Sequence, residues 1–351
     1  MRRTVVKRFL YSFLCVTTFL SKATVLEVEN QKWAWTYRDC FNSREMHKNS
    51  QKKELIFEQA DIAHFTQLVF AWNAQRPKKG HFTFYCQVRD AQSKKWYNYH
   101  KMIDWGNDIQ CSHFSRSEGS EFHYARLELK KNKKADGFRI KAITQDKKDL
   151  GLIKGLIAST ADFTKFKSEP SAERTKNLKS IILRGVPKSS QIMVDHPKAD
   201  VLCSPTSMSM VVGTLKGKKV DALSFADHVY DQGLNAFGNW AFNTAHAYEF
   251  CNQRLLFYPT RLASFTSLYK LLQNKIPVVV SVHGPIKNAP KPYEKGHLLV
   301  VIGFDAQQKQ VICHDPAFST DEQVLTKYDI HEFIRAWERS KRMTYKAHLI
   351  Y

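Results

Sequence analysis

The stretch Leu202-Cys203-Ser204-Pro205-Thr206-Ser207-Met208-Ser209-Met210-Val211-Val212-Gly213 decides how the second half of the chain is read. Met208, Val211, Val212 and Leu215 recur at i, i+3, i+4 and i+7, the period of a helix that buries one face. Pro205 suits a first turn, where its missing N–H goes unneeded. Gly217 is placed to stop the helix. Cys203 therefore falls at or beside a helix N-terminus, where unpaired amides and the positive helix end favour a thiolate. Taken alone, such a cysteine is most simply a small core residue. What lies downstream changes that.

Two apolar runs, His297 to Phe304 and Gln310 to Asp315, read as a hairpin around Asp305 to Lys309. His297 opens the first strand and Asp315 ends the second, and their midpoint is residue 306. The pair should stand close to opposite each other on one face of the ladder. A carboxylate placed there holds an imidazole in one tautomer. Singly, His297 is a strand-edge histidine and Asp315 an Asp-Pro turn initiator. Together, beside a cysteine at a helix start, they supply a nucleophile, a base and an orienter.

Around this core the second half reads as helices first and an antiparallel sheet after them, an α+β arrangement. Helices are expected over Val220 to Leu234, Asn239 to Cys251 and Tyr328 to Trp337, with another ending at Tyr269 to Gln273. Ile276 to Val282 is a buried strand, and the Gly/Pro/Lys loop up to Lys295 suits one wall of a substrate cleft. His283 is an exposed loop residue that could line the site. His196, His228 and His246 have no partner at metal spacing, and no cofactor or metal motif appears.

Residues 24–166 read as an all-β sandwich-like domain. His81 to Arg89 alternates cleanly, with Phe82, Phe84, Cys86 and Val88 on one face. Further strands are expected at Phe65 to Trp72, Lys95 to Trp105, Phe122 to Leu129 and Phe138 to Ile143. Five of the seven tryptophans lie here: Trp33, Trp35, Trp72, Trp96 and Trp105. They either fill a core or form a platform for sugars or wall polymer. The polar stretch 167–180 is a linker, and 181–351 is the second, α+β domain.

The chain has 351 residues, 43% of them hydrophobic, enough for real cores. Residues 1–23 have the pattern of a secretory signal: basic Arg2, Arg3, Lys7 and Arg8, an apolar run from Phe9 to Leu20, and small residues at Ser21 and Ala23. The expectation is cleavage after Ala23, a mature chain without a membrane span, and a periplasmic or extracellular location. Cys15 follows the bulky Leu14, which argues against a lipoprotein. The formal charge of +21 falls to about +16 once those five basic groups, Lys22 included, are removed. No nucleic-acid motif accompanies it, so the basic surface is either simply solvated or meets an anionic surface polymer. Export permits disulfides. Pairings among Cys40, Cys86 and Cys111 are all open, and a free Cys203 leaves at least one other cysteine unpaired.

Four blocks in the second half resemble a known family. They are Val186-Pro187 with Ser190-Gln191, Cys203 to Ser207, Gly296-His297 with the strand ending Gly303-Phe304-Asp305, and Asp315-Pro316-Ala317. In this order they resemble the stand-alone relatives of the bacteriocin-leader (double-glycine) peptidases, the C-thirty-nine-like branch of papain-fold cysteine peptidases. The resemblance covers residues 185–351. It implies a papain-like fold, Cys203 as nucleophile, His297 as general base and acid, Asp315 as its orienter and Gln191 as oxyanion-hole donor. His314 stands where the family more often has Asn. No ATP-binding motif or transporter segment is present, so the leader-peptide role of transporter-linked relatives does not carry over. The expected activity is that of a secreted cysteine peptidase acting on a peptide or protein. The alternatives are an acyltransferase with the same triad and a non-catalytic polymer-binding protein.

Overall fold

The computed structural model describes residues 32–168, 175, 177–252 and 255–349. The signal-like segment lies outside the described residues, as does much of the 167–180 stretch.

The first half runs β1 (Ala34–Cys40), α1 (Ser43–Asn49), β2 (Leu55–Phe65), β3 (Gln67–Ala74), β4 (His81–Asp90), β5 (His100–Gly106), β6 (Gln110–Ser112), β7 (Ser115–Arg116), β8 (Ser120–His123), β9 (Arg126–Leu129), β10 (Ala135–Thr144) and β11 (Ile153–Ala161). These make a six-stranded sheet, β1-β11-β3-β9-β8-β7, and a five-stranded one, β2-β10-β4-β5-β6. Rings from the two sheets meet between them. Trp72 on β3 stacks on Phe84 of β4 at 4.7 Å and meets Trp105 of β5 at 5.3 Å. Phe82, Phe84, Cys86 and Val88 are fully buried, as their alternation requires. Trp33, Trp72 and Trp105 are buried and fill cores rather than forming a platform. β2 and β11 were not legible in the sequence. The segment Phe122 to Leu129 is two strands, not one, split at Tyr124 and Ala125, which both have positive φ.

The second half follows as β12 (Ile181–Ile182), α2 (Cys203–Lys216), α3 (Ala222–Asp227), α4 (Trp240–Phe250), β13 (Leu255–Arg261), α5 (Phe265–Gln273), β14 (Val278–Gly284), β15 (Tyr293–Asp305), β16 (Gln310–His314), β17 (Leu325–Asp329), α6 (Ile330–Arg339) and β18 (Met343–Leu349). Its seven-stranded sheet has the order β13-β18-β14-β15-β16-β17, with β12 also pairing β15. The whole is mixed helix and sheet.

The helix of Cys203 differs from the expectation of one buried face. Ser204 to Gly213 are all buried, because α2 packs on β15 with one side and on α3 and α4 with others. Small hydroxyl residues allow that approach, and two of them find partners across it. Ser204 Oγ meets the Tyr345 hydroxyl at 2.9 Å, and Ser207 Oγ donates to the Leu298 carbonyl at 3.0 Å. Gly217, at φ +67°, ends the helix as its left-handed cap. The helix expected to run from Val220 stops at Asp227. Beyond it the chain turns around Asp231.

The two halves share one core, in which Trp72 touches Phe242 of α4 at 5.9 Å. Polar contacts seal the junction. The Asn73 amide exchanges two hydrogen bonds with the Phe257 backbone, 2.9 and 2.8 Å long. The buried Asp231 accepts from the Ser112 N–H and hydroxyl at 2.9 and 2.6 Å, and from Asn239 Nδ2 at 2.6 Å. Gly233 lies so close to β6 that a Cβ there would fall 1.8 Å from the Ser112 oxygen. Cys40, Cys86, Cys111, Cys203, Cys251 and Cys313 are all free, so none of the pairings weighed from the sequence forms. Among the described residues no helix is long and apolar enough to cross a membrane.

Candidate active site

Cys203 is the first residue of α2 and is half-buried. Leu202 before it has no side-chain oxygen to cap the helix, so no cap competes for the first-turn amides. Leu202 is itself fully buried against Ala226 and Phe237, which fixes where the helix starts. A short 3-10 turn, Ala199–Val201, leads in.

His297 lies near the start of β15, and its Nε2 is 2.8 Å from Asp315 Oδ1. The ladder reaches this pairing differently from the sequence expectation. A register shift between Val301 and Gly303 makes Val300 the partner of His314, so Asp315 comes across from Leu299. His297 sits two residues further, on the diagonal. Its side chain still reaches the carboxylate and is near enough to Cys203 to lower that thiol. With Nε2 on Asp315, Nδ1 is the nitrogen left to face the sulfur.

Asp315 is fully buried and accepts four hydrogen bonds. Besides His297, the hydroxyls of Tyr293 and Tyr328 each donate to Oδ2 at 2.6 Å, and the Ala317 N–H donates to Oδ1 at 3.0 Å. The Tyr293 ring also stacks on the imidazole. Sequence reading missed both tyrosines. Tyr293, in the expected loop, belongs to β15; Tyr328, in the expected helix, belongs to β17. They lie 22 and 13 residues from Asp315, and no local spacing announces them.

The charges support one another. Burial alone would raise the Cys203 thiol, but the hydrogen bond and charge of His297 and the Leu298 amide outweigh it and hold the thiol below its ordinary value. Burial would lower His297; the Asp315 carboxylate and the cysteine instead raise it to about 9. Asp315, which burial would raise, is held below the usual carboxylate range by His297 and the two tyrosine hydroxyls. Burial and the neighbouring carboxylate push both phenols up, so they stay protonated as donors. The remaining thiols of the second half behave oppositely: burial raises Cys251 to about 11 and Cys313 well above its ordinary value.

Gln191 is buried, and its backbone N–H donates to the Pro316 carbonyl at 2.8 Å, beside Asp315. Its Nε2 donates to the Ala199 carbonyl at 3.0 Å, in the turn leading into Cys203. The structure thus brings Gln191 to the segment before the nucleophile, with one amide hydrogen engaged there and Oε1 buried without a partner. His314 turns to the Pro187 carbonyl, 3.0 Å away, and burial lowers it to about 4. It takes no part in orienting His297. His228 and His246 stack on each other at 4.7 Å. Among the described residues no group of three or more His, Cys, Asp or Glu is placed to hold a metal.

Residues 184–345 match the model of the Peptidase_C39 like family, so this segment is a C39-like peptidase domain. A crystal structure from Bacillus anthracis, described as a candidate C39-like peptidase, aligns with 50% of this chain and 99% of its own. The identity is 18% and the TM-score 0.39. No curated protein matches the chain.

Proposed function

We propose that the chain is an exported papain-fold cysteine peptidase that cleaves peptide or amide bonds through Cys203, His297, Asp315 and Gln191. One observation carries the reading. A cysteine at an uncapped helix start lies under the influence of a buried histidine, which holds its thiol below the ordinary value and whose Nε2 is 2.8 Å from a buried carboxylate.

In this reading the resting pair is thiolate and imidazolium. The thiolate attacks the acyl carbon, and negative charge moves to the carbonyl oxygen. The Cys203 backbone N–H and the second Nε2 hydrogen of Gln191 receive that oxygen; each such donor is worth roughly 3 kcal/mol in the transition state. His297 protonates the leaving amine and the C–N bond breaks, leaving a thioester. His297, now neutral, takes a proton from water, whose oxygen attacks the thioester; the acid leaves and the thiolate returns. Asp315 holds the imidazole through both halves.

The signal-like residues 1–23 support export, and the charge of about +16 that remains suits an anionic surface polymer in the same compartment. The test is a cleavage profile of cell-surface proteins by the purified mature chain beside its Cys203→Ala variant. New termini that need Cys203 are expected. Identical profiles would overturn the reading.

A further inference from the structure

We propose that the groove between α6 and the end of the first half binds a linear polyol-phosphate chain through Arg335, Arg339 and Lys341. This gives the anionic surface polymer a place on the fold, and it needs nothing of the chemistry of Cys203.

The groove holds about 590 Å³, with His331, Arg335, Arg339 and Lys341 on one wall and Phe166 and Ser168 on the other. Both walls are built. A Cβ on Gly284 would fall 2.6 Å from Arg339 Nη1, so this guanidinium lies against bare backbone, where it donates to the His283 carbonyl at 3.2 Å. Lys341 Nζ lies 4.6 Å from the centre of the Phe166 ring. On the far side, buried Arg342 donates to the Lys167 carbonyl at 3.0 Å, and the Trp33 ring meets Phe166 edge-on at 4.8 Å.

The charge of the groove is one-sided. Its one acidic lining residue, Glu338, is buried and paired with Arg342 at 3.0 Å. Among the described residues Arg335, Arg339 and Lys341 meet no carboxylate, and both arginines are exposed. The pattern also names a shape. Arg335 and Arg339 stand about 6 Å apart along the axis of α6, with His331 a turn earlier and Lys341 just past the helix end. A site for one anion would gather its cations around a point; a row suits a chain that repeats its charge. A three-carbon polyol phosphate repeats at a similar interval, and a guanidinium fork fits each phosphate. An extended polyuronate turns successive carboxylates to alternating edges and meets a one-sided row poorly. Single-stranded nucleic acid needs open rings on which bases stack. The one ring here, Phe166, is already covered by Lys341, Arg342 and Trp33.

The test is calorimetric titration of the full mature chain, at one ionic strength, with three polymers matched in charge number: poly(glycerol phosphate), a single-stranded oligonucleotide and polygalacturonate. Wild type should bind poly(glycerol phosphate) most tightly. Arg335→Glu should weaken that binding by about 10-fold or more, and Arg335→Gln, which only removes the charge, by less. Lys148→Glu, an equal change of charge on the exposed surface of the first half, should keep the wild-type affinity, as should Cys203→Ala. Equal affinity for the three polymers, or an equal loss in Lys148→Glu, would show that net charge acts and the groove does not. Absence of binding by wild type would also overturn the proposal. Either failure leaves the peptidase reading untouched, and an inert Cys203 leaves this one untouched.

Discussion

The ring of Tyr293 lies flat against the imidazole of His297, with centroids 4.1 Å apart and 13° between the planes. The same tyrosine donates its hydroxyl to the carboxylate that orients that imidazole. One side chain thus limits both the tilt of the base and the position of its orienter.

Tyr293→Phe keeps the stack and removes one of four donors to Asp315. Hydrogen bonds to a charged group contribute roughly 1.5–3 kcal/mol, so kcat should fall by about 10-fold or more. Tyr293→Leu removes the ring as well and should fall further. Neither change touches the substrate, so KM should hold in both. Steady-state kinetics on one peptide would show whether KM moves instead, which would place Tyr293 in substrate binding.

The pH dependence follows from the signs of the shifts. The Cys203 thiol is depressed, so its alkylation should persist below the range in which an ordinary thiol stops reacting. His297 is raised to about 9, so turnover should decline as pH climbs through that value and the leaving-group acid is lost. In His297→Ala the main lowering influence disappears, while burial and the Leu298 amide remain. The alkylation midpoint should then move upward. An unchanged midpoint in a stopped-flow titration would mean that His297 does not set the thiolate.

Asp315→Asn should leave the fold in place and cost about 10³–10⁴-fold in kcat through a misdirected imidazole. It also alters the acid stability. A carboxylate whose folded pKa is depressed adds stability that is present above its unfolded value and lost as pH falls through the folded one. The stability gap between wild type and Asp315→Asn should therefore narrow on acidification. Urea titrations at neutral pH and near pH 3 would check this, and a gap that widens would contradict the depressed carboxylate.

At the junction of the halves, Gly233→Ala would drive a Cβ to within 1.8 Å of the Ser112 oxygen. Asp231→Ala would leave the Ser112 hydroxyl and the Asn239 amide without their buried partner. Each should lower stability by about 2–4 kcal/mol, read as a shift in the denaturant midpoint. Midpoints within error of wild type would show that the junction contributes little.

Much of the site was legible because its chemistry is written locally. Cys203 ahead of an apolar period, Gly217 at the stop, and a histidine and an aspartate at the two ends of a hairpin all follow from spacing. The register shift near Gly303 was not legible, since a bulge leaves the alternation on either side intact. Tyr293 and Tyr328 were hidden for another reason: only tertiary packing brings their hydroxyls to one oxygen. The burial of α2 on nearly all sides was hidden as well. Ser204, Thr206, Ser207 and Ser209 look like a polar face until the sheet and helices close on them. In the first half, β2 was obscured by Glu58, Asp61 and His64, whose side chains remain largely in solvent.

The contact of Trp72 with Phe242 has a consequence for any attempt to take the chain apart. A single backbone cut between residues 168 and 177 would not set two pieces free. The fragments would remain a non-covalent complex, held by the buried rings and by the Asn73–Phe257 and Asp231–Ser112 bonds. Either piece expressed alone would expose an oily surface to water and seek its counterpart.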